Sequence, residues 1–184
     1  MNPRPQDAAA PLVDFAGLYR THAQEVRRFA LYLSGNASVV DDLVSEAFVR
    51  VWTARERVDL TTVRGYLFAI VRNLFLKHVE RERRHAPIDE GAVDQRPGPE
   101  EQARDQDELR VVLSALAQLP EVDRAAVLMR ADEGLPYEDI AAVLGISIGA
   151  AKVKVHRARL KLAEALQAVP EPLRAKERSH EHQP

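Results

Sequence analysis

The chain has 184 residues, enough for one domain or two small ones, with 46% hydrophobic and 29% charged residues, the balance of a chain that folds in water. It contains no cysteine, which excludes disulfide scaffolds, cysteine-ligated zinc, iron–sulfur clusters and thiol nucleophiles, and fits a reducing, cytoplasmic setting. Its net charge of −2 is low for a protein that merely coats nucleic acid; no apolar run reaches the roughly 18 residues of a membrane helix, so no membrane insertion is expected.

Residues 1–11 lack the apolar core of a signal peptide and read as a disordered tail. Residues 12–85 read as a first domain of three helices. Leu12, Phe15, Tyr19, His22, Val26, Phe29 and Leu33 recur at spacings of three and four, and Gly35-Asn36 ends that helix. Ser38 with Asp41 predicts a capping-box-like start for a second helix. Its inward stripe is Val40, Leu43, Val44, Ala47, Phe48, Val51 and Trp52; its outer face carries Asp41, Asp42, Ser45, Glu46 and Arg50. After the polar run RERVDLTT, a long third helix starts near Thr62. Val63, Tyr66, Leu67, Ile70, Val71 and Leu74 face inward, and the helix ends in the basic RERRH.

Residues 86–106 hold three prolines and almost nothing large and apolar, so they read as a linker. It is acidic: segment 86–108 carries −6, between +3 over 72–85 and +5 over 150–162. Nine of the ten aromatics precede it and only Tyr137 follows, which points to two differently composed cores. Residues 107–169 read as a second helical domain, and 170–184 as a disordered tail. The predicted fold class is therefore all-α, with two small helical domains joined by a flexible acidic linker.

Within the second domain, 137–162 reads as a helix-turn-helix. Ala141 is small where a second helix approaches, Gly145 permits the sharp turn, Ile146 plugs the angle, and Ser147 can cap the second helix. On a wheel of about 100° per residue, Ala151, Val155, Ala158 and Leu162 form one narrow buried stripe. Lys152, Val153, His156 and Arg157 point outward, as a helix entering a major groove requires. On the third helix, Arg72, Asn73, Lys77 and Arg81 offer phosphate contacts and one amide able to pair with a base edge.

No P-loop, G-x-S-x-G, H-E-x-x-H or glycine-rich phosphate loop occurs, so no catalytic set and no cofactor are expected. Asp42 and Glu46, at i and i+4, have no histidine at a suitable spacing, and His180 and His182 stand alone in the tail; no metal site is expected.

GLPYEDIAAVLGISIGAAKVKVHRAR, residues 134–159, resembles the promoter-reading end of bacterial extracytoplasmic-function sigma factors. VVDDLVSEAFVRVW resembles the same family's core-polymerase-binding helix, and VRGYLFAIVRNLFLKHVERERR its −10-reading helix. The three motifs occur in the family's order, over about 12–85 and 107–166. The resemblance implies a sigma factor that binds core RNA polymerase, directs it to promoters and helps melt the −10 element. It implies core docking by Asp41, Asp42, Glu46 and Arg50, and −35 contacts by Lys152, Val153, His156 and Arg157. It implies −10 contacts by Arg64, Arg72, Asn73, Lys77 and Arg81, with loop 57–64 similar to the one that holds a flipped base. Anti-sigma proteins are common partners in this family. The chain departs from the family's pattern at Pro136, Ala150, Ala151 and Val153; the last replaces a groove-facing hydroxyl by an apolar group, which bears on the −35 sequence read. The competing reading is a conventional helix-turn-helix regulator with an N-terminal sensor or dimerisation domain.

Overall fold

The computed structural model describes residues 14–54, 63–85, 105–131 and 134–167. They form seven helices: α1 (Phe15–Ser34), α2 (Ala37–Ala54), α3 (Val63–His85), α4 (Asp105–Ala117), α5 (Glu121–Ala131), α6 (Tyr137–Leu144) and α7 (Ile148–Gln167). No strand occurs among the described residues. The expected tails, most of the acidic linker and positions 57–62 of the expected base-holding loop lie outside them.

Local chemistry fixes the helix ends. The Asp14 side chain accepts from the Gly17 N–H at the start of α1, and Gly35 closes that helix at φ 65°, with its N–H donating to Leu31 O. The start of α2 departs from the expected Ser38 box. The Asn36 side-chain oxygen accepts from both the Ser38 N–H (3.0 Å) and the Ser38 hydroxyl (2.8 Å), so Asn36 does the capping and Ser38 lies inside the helix. Gly145 ends α6 at φ 66°, and the Ser147 hydroxyl accepts from the Ala150 N–H at 3.2 Å to start α7, as expected.

The first three helices pack mutually around Val26, Phe29, Leu33, Phe48, Leu67 and Phe68. Two expected stripes are shifted at their edges. Phe15 and Tyr19 are 40% and 43% exposed, because the first turns of α1 reach only the last turns of α2; their rings rest against Trp52 (5.5 Å) and Phe48 (4.8 Å) at one end of the bundle. On α3, Tyr66 is half-exposed and Phe68 and Phe75 are buried, since α3 packs on α1 and α2 on one side and α6 on another, which turns its buried arc away from Tyr66.

In the second set α6 and α7 pack on α5, whose Ala125, Ala126, Val127, Leu128 and Met129 are all buried, and α4 packs on α7. Asp123 of α5 is buried too, and its Oδ1 accepts from Lys154 Nζ of α7 at 2.8 Å; its other oxygen has no protein donor. Sequence patterning suggests two separate cores. In the folded chain they are continuous, because α5 packs on α1 and α6 on α3. Gly65 of α3 faces Val143 of α6, where an added Cβ would stand 3.8 Å from Val143 Cγ2.

Removing one partner of a buried ion pair strands the other charge. Lys154→Ala is therefore expected to lower unfolding free energy by about 3 kcal/mol. The combined Asp123→Asn and Lys154→Met variant should recover most of that loss. Urea unfolding of the three proteins checks this: a lowered midpoint with unchanged slope for the single variant, restored in the double.

Candidate nucleic-acid interface

The strongest motif takes the predicted shape. Ala151, Val155 and Ala158 are buried and Leu162 is half-buried, so the inner stripe of α7 sits on α4, α5 and α6. Lys152, Val153, His156 and Arg157 are all exposed together on the opposite side. Lys154, on the same helix, is turned inward to Asp123, so the basic character of the segment divides into an anchor and a free face. Lys152 is restrained at the helix start: its Nζ lies 5.7 Å from the centre of the Tyr137 ring, on which Arg130 also rests at 4.8 Å. Val153 is 54% exposed, which leaves an apolar group where a base edge or thymine methyl can be met. Leu160, 51% exposed and seven residues further on, extends the same strip; two helical turns put it beside Val153 and Arg157.

The third helix splits the expected −10 set. Asn73, Lys77 and Arg81 are exposed, and the spacing places Tyr66 in line with Asn73 and Lys77. Arg64 and Arg72 instead turn toward the protein. Arg64 Nε lies 3.0 Å from Glu25 Oε2, and its guanidinium stands 6.0 Å from the Phe68 ring centre. Arg72 makes a two-pronged pair with Glu121 of α5, at 2.6 Å from Nε and 2.8 Å from Nη2. Sequence spacing could not show this, because the carboxylate that holds Arg72 lies 49 residues away.

On α2, Asp41, Asp42, Glu46 and Arg50 are all exposed. Asp41 sits apart from the rest and pairs with Arg27 of α1, whose guanidinium pKa it raises by hydrogen bonding and by its charge. Glu46 and Arg50 pair along the helix at 2.7 Å. The sequence reading missed Val49. It is 55% exposed, seven residues after Asp42 and three after Glu46, so it adds an apolar contact to the charged face. Its signal was available in the sequence: an apolar residue standing off the buried stripe of an otherwise well-patterned helix.

No group of three or more His, Cys, Asp or Glu able to hold a metal occurs among the described residues. Nor is any described helix long and apolar enough to cross a membrane. What the arrangement offers is three outward faces, mixed in charge on α2, polar and basic on α3, basic and apolar on α7.

Residues 18–85 match the family model for Sigma-70 region 2, and residues 109–162 that for Sigma-70, region 4. The chain is 38% identical over 154 residues to the ECF RNA polymerase sigma factor SigE of Mycolicibacterium smegmatis, across 81% of this chain and 60% of that protein. It is 34% identical over 169 residues to the ECF RNA polymerase sigma factor SigL of Mycobacterium tuberculosis, across 87% of this chain and 93% of that one. Among solved structures it is similar to the sigma factor RpoE in complex with the anti-sigma factor NepR from Bartonella quintana. That likeness has a TM-score of 0.67 and 26% identity, over 86% of this chain and 100% of the other. A regulator with an unrelated sensor or dimerisation domain is not favoured, because the first half is itself a region 2 match. Two region matches in order, on a helical fold whose second half ends in a helix-turn-helix, place this chain among the extracytoplasmic-function sigma factors, the promoter-directing subunits of RNA polymerase.

Proposed function

We propose that the chain docks on core RNA polymerase through the outer face of α2, reads the −35 element with α7, and engages and helps melt the −10 element with α3 and the segment before it. The observation that carries this reading is the placement of Asp42, Glu46, Val49 and Arg50, of Asn73, Lys77 and Arg81, and of Lys152, Val153, His156 and Arg157 on three exposed faces, each backed by a buried stripe. We assign 12–85 to the polymerase and −10 functions and 107–169 to the −35 function, a division supported by the region 2 match over 18–85 and the region 4 match over 109–162. Work of this kind needs binding and orientation rather than a catalytic group or cofactor, and it takes place in the cytoplasm where the polymerase is. The RpoE structure is a complex with an anti-sigma factor, which supports an inhibitor of that type as a further partner of this chain. Run-off transcription with purified core polymerase tests the whole reading: specific initiation should require this protein, and initiation that proceeds equally without it removes the assignment.

Two finer outcomes follow from the faces. Asp42→Arg combined with Glu46→Arg should weaken core binding at least tenfold. Exposed substitutions change stability by about 0.5 kcal/mol or less each, so the fold should survive. Core affinity and thermal unfolding, measured together, separate a lost docking face from a lost fold.

Arg157 can donate two hydrogen bonds to one guanine, worth roughly 1–3 kcal/mol of discrimination. Arg157→Ala should therefore relax preference at one or two −35 base pairs. Arg159 is also exposed but lies toward the edge of the buried stripe, and Arg159→Ala should weaken binding evenly, as loss of a phosphate contact does. Transcription from templates randomised across the −35 element reports both profiles. The opposite pattern, altered preference from Arg159 and none from Arg157, would reverse the facing of α7.

A further inference from the structure

The connection from α5 to α6 is tied by two hydrogen bonds. The Leu135 N–H donates to Met129 O at 2.9 Å, and Arg130 Nη1 donates to Leu135 O, also at 2.9 Å. Gly134, at φ 67°, supplies the left-handed backbone between them. Leu135 itself is buried, so the chain enters α6 in one fixed direction and sets Tyr137, the first residue of that helix. The Tyr137 ring is half-buried against the core, and two cations share it: Arg130 Cζ at 4.8 Å and Lys152 Nζ at 5.7 Å from its centre. The two are not equivalent. Arg130 is tethered to the Leu135 carbonyl, whereas Lys152 is exposed and belongs to α7.

An unrestrained lysine reads bases poorly. Its ammonium is a point charge on a flexible four-carbon stem, and it meets a phosphate as readily as a base edge. A cation drawn to the negative face of an aromatic ring gives up part of that range before any ligand arrives, so a contact made from the held position costs less ordering. On α7, Lys152 lies about 100° around the helix from Ala151 of the buried stripe, and Arg157 about 240°. They stand at opposite edges of the outward face, and the ring at the start of α6 serves the Lys152 edge.

We propose that Tyr137 is a specificity-determining positioning residue, whose ring holds the Lys152 ammonium at the α6 edge of the α7 face so that it meets one base pair of the −35 element instead of a neighbouring phosphate. The acceptors that suit an ammonium in the major groove are O6 and N7 of a guanine. Arg130 acts one step further back, bracing the ring from the end of α5. Sequence preference at that base pair thus depends on a residue outside α7, acting through Lys152. The inference rests on the assignment of the α7 face to the −35 element made above.

The test compares Tyr137→Leu, Tyr137→Phe and Lys152→Met in the full chain, assembled with core polymerase and transcribing templates randomised across the −35 element. Lys152→Met should lower preference at one base pair. Tyr137→Leu should lower preference at that same pair roughly two- to fivefold, the worth of one exposed cation–π contact, and leave the pairs set by Arg157 unchanged. Tyr137→Phe keeps the ring and should keep the preference. Added to Lys152→Met, Tyr137→Leu should change nothing more. Weakened preference at every −35 position with Tyr137→Leu marks a ring that only supports the fold and overturns the proposal; so does loss of preference with Tyr137→Phe. A second measurement needs neither DNA nor a variant that folds: carbon relaxation of the lysine ε-methylenes in the unsubstituted chain. Lys152 should be less mobile than Lys161, exposed on the same helix, and equal mobility overturns the restraint. If Lys152→Met leaves every preference intact while Arg157→Ala alters one, this proposal falls and the −35 assignment stands. If neither alters any, the −35 assignment falls with it.

Discussion

Helix α5 is where the packing converges. It is eleven residues long, buried along most of its length, and in contact with α1, α6 and α7. A helix so enclosed would ordinarily be apolar all round. This one carries Glu121, Asp123 and Arg124 in its first turn and a half, and each is answered from a different element: Arg72 of α3, Lys154 of α7 and the Leu33 carbonyl of α1. Burying charge is costly unless it is paired, so these three partners fix where the surrounding helices can sit. The orientation of the outward face of α7 follows from one of them, since Lys154 pointing inward turns Val153 and Arg157 outward on the same helix.

The three outer faces share a design and differ in chemistry. On α2, carboxylates, an arginine and the exposed Val49 suit a protein surface, where opposite charges set register and an apolar residue supplies area. On α7, cations flank Val153 and Leu160, a combination suited to phosphates and base edges together. On α3, the cations divide between those open to solvent and those already held by carboxylates. The near-neutral net charge is consistent with this economy: basic groups are concentrated on α3 and α7, and part of that basic set is neutralised within the protein.

Much of this was legible in the residues. The helix-turn-helix could be read almost atom by atom, because Gly145, Ser147, Ala141 and the Ala151–Val155–Ala158 stripe are all local requirements of one sharp turn and one close helix crossing. The same holds for the end of α1 at Gly35. Legibility failed at element edges. Asn36 and Ser38 are both good caps two residues apart, and only the backbone decides which one serves. Phe15, Tyr19 and Tyr66 have the periodicity of core residues but lie where a neighbouring helix has ended or turned away.

What depends on neighbours within a few residues could be read directly from the chain: the all-helical class, the stripes, the turn, the end of α1 at Gly35, the Ser147 cap of α7, and the order of motifs that carries family membership. What depends on residues far apart in the chain emerged with the packing of the helices. Lys154 is an anchor because Asp123, 31 residues earlier, is buried beneath it; Arg72 is covered because Glu121, 49 residues later, reaches it; and the two cores meet because α5 packs on α1. The physical reason is that periodicity reports which side of a helix is buried, while a charge pair between helices depends on how those helices are set against each other, and no local pattern encodes that.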